Sequence, residues 1–214
     1  MAKRIQTSIP WQTNLETRVN NNVTFIQERT TAHLLPALIS ELQRWRPALR
    51  RLKLIGQDAS KYEGLAYGNL SQRLNKNEFV ITGSQTSGLE NVTEKHFVIV
   101  RECKPRENYV RSEGIISASC ESMTHATIYA TDSSIKFVFH VHSPHLWKLA
   151  LAGNIFMTRN ARYSSPDGAA EVARCFRETN VGKERIFAMG GHLEGIMSFG
   201  ETADEAGERL LHYF

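Results

Sequence analysis

Residues 137–142, Phe-Val-Phe-His-Val-His, carry the clearest pattern in the chain. A short apolar run rich in β-branched and aromatic residues predicts a buried strand. Period-two geometry puts His140 and His142 on one face of it. Further strands are predicted at Glu78–Thr82, His96–Arg101, Arg185–Met189 and Gly195–Phe199. The first two flank the small-residue loop Gly83-Ser-Gln-Thr-Ser-Gly88, a hairpin pattern.

Helical spacing alternates with these strands. Leu38, Leu42 and Trp45 follow Pro36, and Pro47 is expected to interrupt them. A second short helix would then carry Leu49, Leu52 and Ile55, with Gly56 at its C-cap. Helices are also expected from Glu121 to about Tyr129 and from Pro144 to Leu151. Another starts at Ser165-Pro166-Asp167 and turns Ala169, Val172, Ala173 and Phe176 inward. Thr202 and Glu205 form a capping box for a last helix, with Leu210 and Leu211 on its buried side. Residues 1–30 are polar and are expected to form an arm with weak helical content around Val23–Glu28. Residues 31–214 are expected to form one domain. The alternation predicts a mixed α/β fold, with a largely antiparallel sheet covered by helices.

Composition narrows the class. At 214 residues, 41% hydrophobic and 22% charged, the chain suits one soluble globular domain. No apolar run nears the roughly 20 residues that cross a bilayer, and Met1–Ser8 has no signal-peptide core. A cytoplasmic protein is expected. Three cysteines without a CxxC spacing form neither a disulfide framework nor a zinc knuckle. The net charge of +4 is concentrated at Arg44, Arg46, Arg50, Arg51 and Lys53. With no interleaved aromatics, this cluster predicts a solvated helix face or an anion-attracting rim rather than a nucleic-acid surface.

The strand-end histidines carry the chemistry. Two imidazoles on one face suit a first-row divalent metal. His192 follows Gly190-Gly191 at the end of another strand and is a third candidate. Glu121, at a helix start, favours the helix dipole on the plain reading; beside a cation it is a ligand or a proton carrier. Gly68-Asn69-Leu70-Ser71 reads as a turn entering a strand, or as an anion-binding turn.

Five blocks in this order resemble the class II aldolase/adducin family. They are Gly68-Asn69-Leu70-Ser71, then Ile81-Thr82 to Ser87-Gly88, then Ser119-Cys120-Glu121 to His125 and Tyr129. His140-Val141-His142-Ser143 and Gly191-His192 to Gly195, Gly200 and Glu205 complete the set. The resemblance implies a three-layer α/β/α domain. It implies zinc, with manganese or iron as alternatives, on His140 and His142 with His192 or Glu194 as third ligand. In a strand, residues 192 and 194 would share a face. It makes Glu121 the catalytic glutamate, and Gly68, Asn69, Ser87, Gly88 and Ser119 the holders of a substrate phosphate. The implied reaction is reversible aldol cleavage of a sugar phosphate through a metal-stabilised enediolate, in a homotetramer. Dehydration or epimerisation of a pentulose phosphate, and an adducin-like non-catalytic scaffold, are the alternatives. Cys120 stands where the family often has a second serine, and Tyr163 is the nearest aromatic to serve as proton donor or as packing.

Overall fold

The computed structural model describes residues 13–20 and 23–214, with side chains from Phe25 onward. The strands are β1 (Thr13–Asn20), β2 (Val23–Thr30), β3 (Gly56–Gln57), β4 (Ala66–Tyr67), β5 (Asn69–Arg73), β6 (Phe79–Thr82), β7 (Phe97–Lys104), β8 (Tyr109–Glu113), β9 (Phe137–His142), β10 (Ile186–Ala188) and β11 (Gly195–Gly200). The helices are α1 (Ser40–Arg51), α2 (Ser122–Thr131), α3 (Pro144–Leu151), α4 (Pro166–Glu178), α5 (Val181–Glu184) and α6 (Ala203–Leu211).

Nine strands form one sheet in the order β1-β2-β8-β7-β6-β5-β9-β11-β10, while β3 and β4 make a separate short ribbon. Only β2 and β8 run parallel within the large sheet; every other neighbouring pair is antiparallel. The β6–β7 hairpin is present. Alternation along β9 divides the core. Phe137, Phe139 and Val141 face a cluster built with Leu42, Trp45 and Leu49 of α1, Leu146 of α3 and Leu210 of α6. Val138 faces the other cluster, with Met123 and Ile128 of α2 and Val172 and Cys175 of α4. Helices therefore cover both faces, and all six residues of β9 are buried. Among the described residues, no helix is long and apolar enough to cross a membrane.

Three expectations are corrected. Pro47 lies inside α1 and does not divide it. The ring removes one N–H at an exposed position, while Leu42, Trp45 and Leu49 bury a continuous stripe across it, and that burial outweighs the lost bond. Val23–Glu28 is strand rather than weak helix. Backbone pairing to β1 and β8 fixes it, and Phe25 and Gln27 face inward while Gln27 donates to Ser112 Oγ at 2.8 Å. Leu211 is 36% exposed; only Leu210 of that pair is buried, because consecutive positions on a helix point about 100° apart. The Thr202 cap is present: its hydroxyl accepts from Glu205 N at 3.1 Å, and the Glu205 carboxylate accepts from Glu201 N.

Candidate metal centre

β9 ends at the mouth of the sheet with His140 and His142 on the α2 side. Antiparallel pairing sets Asn69 of β5 opposite His140 on one edge, and Gly195 of β11 opposite His142 on the other. His140 is 1% exposed. Its Nδ1 lies 3.2 Å from the carbonyl oxygen of Ile196. A carbonyl only accepts, so Nδ1 carries the proton and Nε2 presents a lone pair to the centre. Burial pushes the His140 pKa down to about 4 and holds those of His142 and His192 well below the ordinary histidine value. All three rings are therefore neutral at physiological pH.

The turn between β10 and β11 brings His192 to this pair. Its Nε2 lies 3.2 Å from Nε2 of His140 and 3.1 Å from Nε2 of His142. Residues 192–194 are a turn, not a strand, which overturns the expectation that positions 192 and 194 share a face. Glu194 adopts φ +61°, and its carboxylate accepts the Tyr62 hydroxyl instead. Gly195 is required here: a Cβ on it would stand 2.6 Å from Cδ2 of His192. The ring of Tyr163 packs over His192, centroids 3.7 Å apart, and Tyr62 meets His142 edge-on at 4.5 Å.

Glu121 sits at the N-cap of α2, where it caps nothing with its side chain. One carboxylate oxygen, Oε2, accepts the Thr124 hydroxyl at 2.7 Å. The other, Oε1, is buried without a hydrogen-bond partner and lies 3.8 Å from Nε2 of His192. Burial raises the Glu121 pKa to about 7, against the pull of the neighbouring hydroxyls. His125, on the same helix face, serves another purpose: its Nδ1 lies 2.6 Å from Ser71 Oγ, tying α2 to β5.

These residues fit a divalent cation. Tetrahedral coordination at zinc–nitrogen bonds near 2.0–2.1 Å separates ligand nitrogens by about 3.3–3.4 Å. The His192 separations fall close to that, and the ligand atoms of His140, His142 and His192 all lie within 4.8 Å of one another. Oε1 of Glu121, which has no hydrogen-bond partner, adds a fourth donor, an oxygen, beside the three nitrogens.

The cluster opens into a cleft of about 300 Å³ lined by Gly68, Asn69, Ser84, Ser87, Ser119 and Cys120 beside the histidines. Gly68 takes φ +78°, and a Cβ there would stand 2.5 Å from Ile55 and 3.0 Å from the His140 carbonyl oxygen. Asn69 is buried and its Oδ1 has no partner. Ser87 donates its hydroxyl to the Gly68 carbonyl, which joins the two predicted anion loops. Gly88 does not line the cleft; it packs against Gln57, whose Oε1 a Cβ would meet at 2.6 Å. Tyr62 and Tyr67 line the cleft without having been singled out. Nothing in the polar stretch 58–67 signals that two rings fold back over His142.

The sequence model of the "Class II Aldolase and Adducin N-terminal domain" matches residues 57–213, so the chain belongs to the class II aldolase/adducin family. Its fold is similar to that of an L-fuculose 1-phosphate aldolase: TM-score 0.62, 20% identity, 85% of this chain and 84% of that one. It is also similar to a sugar-phosphate aldolase from Thermotoga maritima: TM-score 0.62, 17% identity, 83% of this chain and 90% of that one. YgbL from Escherichia coli aligns at TM-score 0.60 and 18% identity, over 83% and 84%. No curated protein matches the chain by sequence.

Proposed function

We propose that the chain is a metal-dependent lyase that cleaves a phosphorylated hydroxy-carbonyl compound in a reversible aldol reaction. One observation carries this reading. Two buried imidazoles and one partly buried imidazole, all neutral, converge through Nε2, and a buried carboxylate oxygen with no hydrogen-bond partner lies beside them. His140, His142 and His192 would hold the ion, with Glu121 completing its surroundings. When bound, a divalent ion supplies a Lewis acid for an electron-rich oxygen next to the bond being broken. Zinc suits the three imidazoles best, with manganese and iron as the alternatives.

The remaining chemistry belongs to the protein's own groups. In the condensation direction Glu121 Oε1 takes the proton from the carbon next to the carbonyl. In cleavage the substrate's hydroxyl proton passes to water as the carbon–carbon bond breaks and the new carbonyl forms, and Glu121 returns its proton to the carbon that keeps the electron pair. The Thr124 hydroxyl holds the other oxygen and fixes the carboxylate's orientation. Asn69, Ser87, Ser119 and Gly68 offer amide, hydroxyl and backbone groups to the substrate's phosphoryl end. The rings of Tyr62, Tyr67 and Tyr163 narrow the access of water. The L-fuculose 1-phosphate aldolase and sugar-phosphate aldolase likenesses favour a phosphorylated sugar as substrate. Dehydration would use the same carboxylate to remove a proton beside the carbonyl, and epimerisation would remake a bond that the same site breaks, so a substrate panel scored for carbonyl release against water loss separates cleavage from dehydration. The complete triad with its glutamate argues against a non-catalytic scaffold. A homotetramer is the expected assembly.

The test uses solvent deuterium exchange into dihydroxyacetone phosphate, which needs no knowledge of the second product. Zinc-loaded wild type should exchange the carbon-bound proton. Glu121→Gln should keep its zinc and lose exchange by at least about 100-fold, in the range expected for a general base. Equal exchange in the two proteins would remove Glu121 from the reaction.

A further inference from the structure

Two arginines of α1 stand directly behind the loop that borders the cleft. Arg46 is 2% exposed, and Arg50, one turn later, is partly buried. Arg46 Nη2 donates to the carbonyls of Thr86 at 2.7 Å and of Ser87 and Leu89 at 3.3 Å. Arg50 Nη1 donates to Ser87 O at 3.0 Å and also to Leu89 O. The expectation of a solvated basic face therefore fails at these two positions. It holds nearer at Arg44, which is exposed and pairs with Glu41 and Asp204.

Among the described residues, no carboxylate compensates the inner pair: neither Arg46 nor Arg50 forms an ion pair. Two like charges one helical turn apart repel, and burying one without a counter-ion is costly. Burial and Arg50 lower the Arg46 pKa to about 10, which still leaves it charged at neutral pH.

The loop between these cations and the cleft is polarised. Its carbonyls at 86, 87 and 89 turn to α1, while among the described residues no backbone acceptor meets the N–H group of Ser87, the residue of this loop that lines the cleft. Among the described residues, no lysine or arginine lines the cleft.

We infer that Arg46 and Arg50 supply, through the Thr86–Leu89 loop, the positive potential that holds a phosphoryl dianion in the cleft. The inference rests on the phosphorylated-substrate reading above. It assigns the two arginines as positioning residues that act without touching the ligand. An anion facing the loop offsets the uncompensated charge behind it, while leaving the direct contacts to neutral donors. The basic cluster thereby gains a second function besides stapling the loop.

The experiment measures inorganic phosphate binding to the zinc-loaded protein by calorimetry. The wild type should bind, and Ser84→Glu, which places a carboxylate in the cleft, should abolish the signal. Arg50→Gln should weaken phosphate about tenfold, and Arg50→Lys, which keeps the charge, by no more than about threefold. Arg46→Lys and Arg46→Gln should rank the same way; the Arg50 pair decides the matter if buried Arg46 variants fail to fold. Equal affinity in wild type and Arg50→Gln overturns the inference while leaving the phosphate reading intact. So does equal loss in the Lys and Gln variants, since loop stapling alone then explains it. Binding that survives Ser84→Glu lies outside the cleft and overturns it too. Absence of phosphate binding by wild type overturns the phosphate reading itself.

Discussion

At the scale of single residues, the centre depends on how His192 is turned toward β9. The side chain reaches His140 and His142 because the chain reverses between β10 and β11, and because residue 195 has no Cβ. Glu194 is committed to Tyr62. His192→Ala should therefore lose zinc affinity by more than the roughly 10–100-fold typical of a lost outer partner, whereas Glu194→Gln should keep one zinc per chain. Elemental analysis after dialysis against a weak chelator reads the difference. Zinc lost from Glu194→Gln and kept by His192→Ala would exchange the roles of the two residues. The sequence left this choice open for a physical reason. Period-two reasoning puts 192 and 194 on one side only if they are strand, and the left-handed backbone at Glu194 removes that premise. His140 and His142 were legible because a buried six-residue strand has one register in which both reach the mouth.

At the scale of elements, α4 shows how a surface helix holds part of the cleft wall. Glu171 accepts Arg159 N at 2.8 Å and is gripped at both oxygens by Arg174, at 2.7 and 2.8 Å. That fixes the segment running from Arg159 to Tyr163, whose ring lies on His192. The Arg174 guanidinium, followed by the Arg159 N–H, lowers the Glu171 pKa from 4.5 to about 2. A depressed carboxylate stabilises the fold above its unfolded pKa and loses that contribution as pH falls through the folded one. Metal-free wild type should therefore exceed Glu171→Gln by about 1 kcal/mol after solvent screening, constant from pH 5 to 8. The gap should narrow continuously between pH 4.5 and 2; denaturant titrations at several pH values measure it, and a gap that widens on acidification would refute the pairing. The helix itself was legible from Ser165-Pro166 and its apolar spacing. β1, β2 and β8 were not. The inward face of β2 alternates Phe25 with Gln27, and Gln27 is satisfied by Ser112 rather than by apolar packing. Hydrophobic alternation carries no trace of such a strand, because its pairing is specified by backbone bonds and one buried polar contact. Pro47 misled in the opposite direction: a local rule broke the helix that tertiary burial keeps whole.

At the scale of the molecule, the candidate metal centre joins parts far apart in sequence: β9 in the middle of the sheet, the start of α2, and the β10–β11 turn. An ion held by all three histidines is held by the folded state, since the unfolded chain separates His140 from His192 by 52 positions. Ion affinity is therefore also folding stability. At free zinc 100 times its dissociation constant, linkage adds about 2.7 kcal/mol. For a chain of this size that is a rise of roughly 5–10 °C in Tm. The same scan on His140→Ala, whose loss removes one converging Nε2, should show little zinc response on top of its own lower Tm. The two effects separate because chelator should erase the wild-type increment and leave the variant unmoved. A zinc-dependent rise of equal size in both proteins would mean that the stabilising ion sits elsewhere, and no rise in the wild type would sink the tri-histidine centre. Intermediate Tm gains for Glu121→Gln would measure how much the carboxylate adds to holding the ion, separately from its part in moving a proton.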